Sequence, residues 1–253
     1  SSAGSGLMAR AYDAASMVDV DYETLPVVVD MEDALKDGAP LVHAAFGTNA
    51  SYTAKMPCGD YAAVSAKADR IVKRRFINQR LIPNTMEPRS VVAAPAVGMS
   101  DEITIWSATQ IPHVLRVLLA LLTGIPENHI RVVAPDVGGG FGAKLQINRE
   151  EVLALVLAKQ TGRPIKWTES RSEHFVSTHH GRDQIQDIEL AVTNDGTILG
   201  MKVDLLADMG AYLQIITPGT PLLGMFMYSG IYKMEALDFT CTGVYTNKTP
   251  TDA

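Results

Sequence analysis

The stretch Asp136-Val137-Gly138-Gly139-Gly140-Phe141-Gly142-Ala143-Lys144 places four glycines within five residues. Glycine offers no side chain to bury and is entropically costly to order, so such a run suits neither a core nor a strand. It suits backbone that must turn sharply or approach something bulky. An apolar strand-like run, Ile130–Ala134, precedes it, and a helical pattern from Asn148 to Gln160 follows. Strand, glycine turn and helix start can aim backbone N–H groups at an anionic ligand. The same order also serves as a tight connection with no ligand, and composition alone leaves both readings open.

The chain has 253 residues, 47% hydrophobic and 20% charged, the balance of a globular protein of one large or two smaller domains. Its formal net charge of −6 argues against a nucleic-acid binder, and the longest basic run is only Lys73-Arg74-Arg75. The apolar run Val117–Leu122 is far short of the roughly 20 residues a membrane span needs. Cys58 and Cys241 form no CxxC pair, which suggests free thiols in a reducing, cytoplasmic setting. Two cysteines are also too few for an iron–sulfur cluster.

Along the chain, residues 7–17 read as a helix, Val18–Tyr22 as a short strand and Met31–Lys36 as a helical turn. Residues 1–37 hold too little apolar surface to form a domain and resemble the tail of one that precedes them. Residues 38–60, with Gly47, Pro57 and Gly59, read as a connecting segment. Residues 61–253 are the main domain. In it Ala68–Leu81, Ser90–Ala96, Ile103–Trp106 and Pro164–Thr168 have strand character, with a turn at Pro83-Asn84 and a loop at Gly98–Glu102. Ile111, Val114, Leu115, Leu118, Leu119 and Leu122 recur at helical spacing between Pro112 and Gly124, which predicts a deeply buried helix. In the second helix Val152, Leu153, Leu155, Val156 and Leu157 are the predicted buried side. Residues 185–205 predict a hairpin turning at Asn194-Asp195-Gly196. This order of elements predicts an α+β fold with mixed sheets and packed helices.

Two nucleotide readings of the glycine run compete. A P-loop ends in Gly-Lys-Ser/Thr because the hydroxyl holds magnesium, whereas this run continues Ala143-Lys144-Leu145. The dinucleotide pattern G-x-G-x-x-G/A matches at Gly138, Gly140 and Ala143, with Glu169 after the next strand, and keeps an NAD(P)-dependent oxidoreductase as the runner-up. Phe141 is foreign to either loop; it is either a plug into the core or a wall beside a cofactor. In Ser107-Ala108-Thr109-Gln110, Thr109 is a candidate helix cap, and Gln110 either faces solvent or presents its amide to a ligand near the glycine loop. His174, His179 and His180 suggest a polar rim more than a metal site, because adjacent strand residues face opposite ways.

Together these stretches resemble the molybdenum hydroxylases, the family of xanthine dehydrogenase, aldehyde oxidase and aerobic carbon monoxide dehydrogenase. Val137–Lys144 is similar to their GGGFG-x-K signature, and Trp106–Gln110 to their strand-end STQ motif. Met86-Glu87-Pro88-Arg89, Glu173-His174-Phe175, Ala207–Tyr212 and Val244–Pro250 also fit, in order and nearly end to end. The likeness is greatest to carbon monoxide dehydrogenase-type large subunits.

The resemblance implies a fragment: the tail of an α/β hammerhead domain over 1–37, then the first molybdenum-cofactor-binding domain, incomplete at its C-terminus. It implies contacts from the backbone N–H groups of Phe141 and Gly142 and from the Gln110 amide to the molybdenum oxygen ligands and pterin, Gln110 and Phe141 not being direct metal ligands. Gly139 and Gly140 would give close approach. It further implies molybdopterin cytosine dinucleotide, an iron–sulfur small subunit, an FAD medium subunit and a dimer of heterotrimers. The family's base glutamate is expected downstream of Ala253, as is any copper-binding cysteine, so the fragment alone is expected to be inactive. Xanthine-oxidising members carry a glutamate where this chain has Leu145, which disfavours purine substrates. A non-catalytic structural homologue is the remaining alternative.

Overall fold

The computed structural model describes residues 2–98 and 101–253. Helix α1 (Ser2–Ser16) and the short α2 (Met31–Ala34) come first, followed by β1 (Ala50–Cys58), α3 (Tyr61–Ser65), β2 (Arg70–Asn78), β3 (Ser90–Pro95) and β4 (Ile103–Ser107). Then come α4 (Pro112–Thr123), β5 (Ile130–Val133), α5 (Arg149–Thr161), β6 (Ile165–Thr168), α6 (Arg171–Ser177), β7 (Gln184–Val192), β8 (Ile198–Gly210), α7 (Gly219–Gly224) and β9 (Ala236–Tyr245). The strands form two mixed sheets, a five-stranded one ordered β1-β9-β8-β7-β2 and a four-stranded one ordered β5-β4-β3-β6. This is the α+β architecture expected.

The small sheet is covered by α4 and α5. Val91, Ala93, Ile103 and Ile105 on β3 and β4 pack against Leu115, Leu119, Ala154, Leu155 and Ala158. α4 is delimited as its sequence demands. Pro112 opens it, and Gly124 ends it at φ +68°, donating its N–H to the Ala120 carbonyl. Its depth differs from expectation: only Leu115 and Leu119 are buried, while Val117, Leu121 and Leu122 are exposed. A helix lying on one face of a single sheet buries one stripe, however apolar its other side is. α5 behaves likewise, burying Ala154, Leu155 and Ala158 and leaving Leu153 and Leu157 exposed. Small residues there let the helix approach the sheet closely.

In the large sheet the predicted hairpin is β7–β8, with Ile188 opposite Val203 and Gly196 at φ +90° in the turn. Val203, Leu205, Ala207, Met209, Phe239, Cys241 and Tyr245 form the second core. Three local readings are corrected. Val18–Tyr22 has no regular structure and is exposed, with no strand paired to it among the described residues. The stretch 38–60 carries β1, an edge strand paired antiparallel to β9, so it is not mere connection. The strand β9, in a stretch for which the sequence predicts no regular element, lies between β1 and β8 and is parallel to β8. Of the predicted loop Gly98–Glu102, Met99 and Ser100 lie outside the described residues. No helix among the described residues is long and apolar enough to cross a membrane.

Leu155 is fully buried beneath the small sheet. Leu155→Ala should therefore lower unfolding stability by about 3 kcal/mol through lost burial and a residual cavity. Urea denaturation of the two proteins side by side measures it.

Candidate cofactor site at the glycine loop

β4 and β5 are parallel neighbours, with Ile105 beside Val132 and Trp106 beside Val133. Both chains therefore leave the sheet at the same edge, where crevices beyond parallel strand ends commonly take ligands. Gln110 follows β4 there, and the glycine loop follows β5. The two meet through a reciprocal set of bonds. The Gln110 N–H donates to the Lys144 carbonyl at 2.9 Å, and Gln110 Oε1 accepts from the N–H groups of Gly142 at 3.1 Å and Lys144 at 3.2 Å. Two donors on Oε1 fix the amide's orientation, so Nε2 is presented outward.

The glycines make this contact possible. A Cβ on Gly140 would lie 2.4 Å from Gln110 Oε1, and one on Gly142 would lie 1.8 Å from the Ala253 carbonyl oxygen. Gly139 and Gly142 sit at φ +94° and +88°, and Phe141 itself is held at φ +50°, rare for a bulky residue. The Phe141 ring is 73% exposed. It is no core plug; it lines a cavity of about 660 Å³ together with Pro83, Arg182, Tyr228, Asp252 and Ala253.

Most loop donors have protein partners. Gly138 donates to Glu87 Oε2, Gly139 to the Val137 carbonyl, Ala143 to the Gly140 carbonyl and Leu145 to the Gly142 carbonyl. Gly142 had been expected to offer its N–H to a cofactor, and here it donates to Gln110. Among the described residues, the N–H groups of Gly140 and Phe141, in the turn itself, and the Gln110 Nε2 have no protein acceptor. These unpartnered donors suit a ligand rich in acceptor oxygens or nitrogens.

Lys144, the residue a phosphate loop would direct to its nucleotide, is 1% exposed, and its ammonium is 2.7 Å from Glu87 Oε2. Burial pushes the Glu87 carboxyl up, but the bonds from Lys144 and Gly138 more than reverse this and hold it below the usual range. Glu169, the acid of the dinucleotide reading, is equally committed. It is buried and accepts from Arg89 Nε at 3.0 Å and the Arg89 backbone N–H at 3.1 Å, and its Oε2 lies 2.9 Å from His174 Nδ1. The N-terminus of α5 is occupied too, since Glu151 Oε2 accepts from the Asn148 N–H at 2.8 Å. Neither nucleotide reading has its groups free.

The histidines do not form a polar rim. His174 is fully buried between Glu169 and the Pro83 carbonyl, and His179 is buried with its Nε2 3.3 Å from the Ala253 carbonyl oxygen. The underlying reason is helix α6, which the sequence reading overlooked although Ser170 and Glu173 form a capping box at its start. Among the described residues no group of three His, Cys, Asp or Glu is placed to hold a metal ion. The pairing of Glu87 with Lys144 is what sequence reasoning passed over, because no spacing reveals a contact between residues 57 positions apart.

Burial drives the Glu169 carboxyl upward, while its bonds from Arg89 and His174 bring it below the ordinary value of 4.5. A carboxylate lowered on folding stabilises fully above its unfolded pKa and loses that contribution as pH falls through the folded one. Glu169→Gln should thus cost about 3 kcal/mol at pH 7, because Arg89 keeps a buried charge with only the more distant Glu150, at 3.7 Å, to offset it. The gap to wild type should narrow below about pH 4 in denaturation curves taken across pH.

Comparison with known proteins gives the chain's family. Residues 42–253 match the molybdopterin cofactor-binding domain family. The chain is 38% identical to the carbon monoxide dehydrogenase large chain of Hydrogenophaga pseudoflava over 95% of its own length and 32% of that protein's. It is 33% identical to the putative xanthine dehydrogenase molybdenum-binding subunit XdhA of Escherichia coli, covering 79% of this chain and 26% of the relative. Among solved structures, quinoline 2-oxidoreductase from Pseudomonas putida 86 superposes with a TM-score of 0.87 at 33% identity, over 97% of this chain and 31% of that one. The chain spans about a third of the length of the curated relatives it matches. In sequence and in fold, it belongs to the molybdopterin cofactor-binding domain family found in the large subunits of molybdenum hydroxylases.

Proposed function

We propose that this chain forms one wall of the molybdenum–pterin site in the large subunit of a molybdenum hydroxylase that oxidises a small substrate with water as the oxygen source. The observation that carries the reading is the unpartnered N–H groups of Gly140 and Phe141 in a loop against which the Gln110 amide is packed, with Phe141 lining an open cavity. When bound, molybdopterin supplies the two-electron redox chemistry. The chain's own residues do the holding. Gln110 Nε2 and the Phe141 N–H donate to acceptor atoms of the group, the Phe141 ring walls the cavity, and Gly139, Gly140 and Gly142 permit the loop's left-handed turns and close contacts. Glu87 is engaged with Lys144 and Gly138 and is not a base in this reading.

The likeness to carbon monoxide dehydrogenase large chains supports the cytosine dinucleotide form of the cofactor, with an iron–sulfur small subunit and an FAD medium subunit as partners in a dimer of heterotrimers. In the same reading residues 1–37 belong to a preceding hammerhead domain, and the enzyme works in the cytoplasm. Leu145, standing where purine-oxidising members carry glutamate, directs the substrate class to aldehydes, N-heteroaromatic compounds or carbon monoxide.

The full-length protein, co-produced with its partner subunits in a host that makes the cofactor, should contain molybdenum by elemental analysis. A metal-free product from such a host sinks the proposal. Gln110→Ala in that enzyme should fold normally and lose turnover by on the order of a hundredfold, the usual effect of removing a pre-aimed donor. Titration with NADH should show no binding, whereas saturable binding favours the nicotinamide alternative.

A further inference from the structure

A loop with four glycines in five residues has little reason to hold one shape. It has almost no side chains to pack, and three of its residues occupy left-handed conformations. Yet its unpartnered N–H groups serve a ligand best if they point the right way beforehand. Something outside the loop must hold it, and Glu87 meets that need at both ends. One carboxylate oxygen, Oε2, accepts from the Gly138 N–H at the loop's start and from the Lys144 ammonium at its end, each at 2.7 Å. The Glu87 backbone N–H also donates to the Gly138 carbonyl at 3.1 Å. A Cβ on Gly138 would come within 2.6 Å of Glu87 Cβ, so the contact is close as well as polar.

Glu87 stands on a fixed platform. Arg171 donates to the Asn84 side chain and the Thr85 carbonyl at 2.7 Å each, and to the Met86 carbonyl at 3.2 Å. The Thr85 hydroxyl donates to the Glu87 carbonyl at 2.7 Å. On the far side, Arg89 is locked into buried Glu169 through its backbone and its guanidinium. Segment 84–89 is therefore anchored before and after Glu87, and the carboxylate reaches the loop from a support held by contacts outside it.

We propose that Glu87 is a positioning residue: by bridging Gly138 and Lys144 it shapes the glycine loop in the absence of cofactor, so that the Gly140 and Phe141 N–H groups are already aimed. This rests on the reading of the loop as a molybdopterin site, but its first test does not. Two conservative variants are made in the full-length large subunit. Glu87→Gln keeps an acceptor and removes the charge; Glu87→Asp keeps the charge and shortens the arm. Hydrogen–deuterium exchange of the cofactor-free protein is followed in peptides covering residues 138–145 and, as a control, in the β4 and α5 core. Both variants should exchange about tenfold faster over 138–145, as expected when a charge-assisted bond is weakened, with core exchange unchanged. Where Glu87→Gln fails to fold around the buried Lys144 charge, Glu87→Asp decides. Wild-type protection over 138–145 in a folded variant overturns the proposal.

In the cofactor-loaded complex, Glu87→Asp should also retain less molybdenum after dialysis and show an altered Mo(V) paramagnetic resonance spectrum, which a general loss of stability would not produce. Wild-type metal retention and spectrum in that variant likewise count against the role of Glu87. Wild-type protein without molybdenum would instead sink the cofactor reading and leave the exchange result standing on its own.

Discussion

The structure around the site depends on the burial of one ammonium group. Lys144 is enclosed by protein, and an enclosed charge is tolerable only with a partner at hand. Glu87 is that partner, so the segment carrying it must lie against the loop. The backbone of the same lysine is bound in both directions by Gln110, through its N–H and its carbonyl. Lys144 thus joins the two walls of the site, one built from the segment before β3 and one from the end of β4. The glycine run, which has nothing of its own to pack, takes its form from these neighbours.

The large sheet uses the same device. Asp208 is fully buried at the end of β8 and is met by the Lys248 ammonium, the Thr246 hydroxyl and the Gly210 N–H, with Arg80 at 3.4 Å. Burial raises this carboxyl and its partners oppose the rise. Arg80 further donates to the Thr249 carbonyl, the His180 N–H donates to the Pro250 carbonyl, and the Asp252 N–H donates to the His180 carbonyl. Residues 246–253 are thereby laid across the molecule until Ala253 rests on Gly142. Two buried carboxylates, Glu169 and Asp208, each fix a segment that reaches the loop from a different side.

Much of the fold was legible because local chemistry decided it. α4 begins at Pro112 and ends at Gly124, and the β7–β8 hairpin turns at Gly196, since these residues favour those conformations whatever surrounds them. β1 and β9 were missed because a strand's existence there depends on its neighbours, and each pairs with residues far along the chain. The depth of α4 was overestimated for a related reason: apolar periodicity gives the stripe but not the number of layers packed on it. At the site, Gln110 and the glycine run were readable as motifs. Glu87 and Lys144 were visible as letters, but their pairing across residues 87 and 144 has no signature in spacing.

What the sequence determined by itself is the local stiffness and softness of the chain: where it must turn, where it must be helical, and that a glycine-rich segment follows a strand with an amide-bearing residue elsewhere. Tertiary structure alone decided which donors remain free. The N–H of Gly142 is occupied because Gln110 lies over it, and those of Gly140 and Phe141 are open because no acceptor among the described residues reaches them. Hydrogen-bond satisfaction is a property of the assembled neighbourhood, summed over segments distant in the chain, and no residue carries it alone.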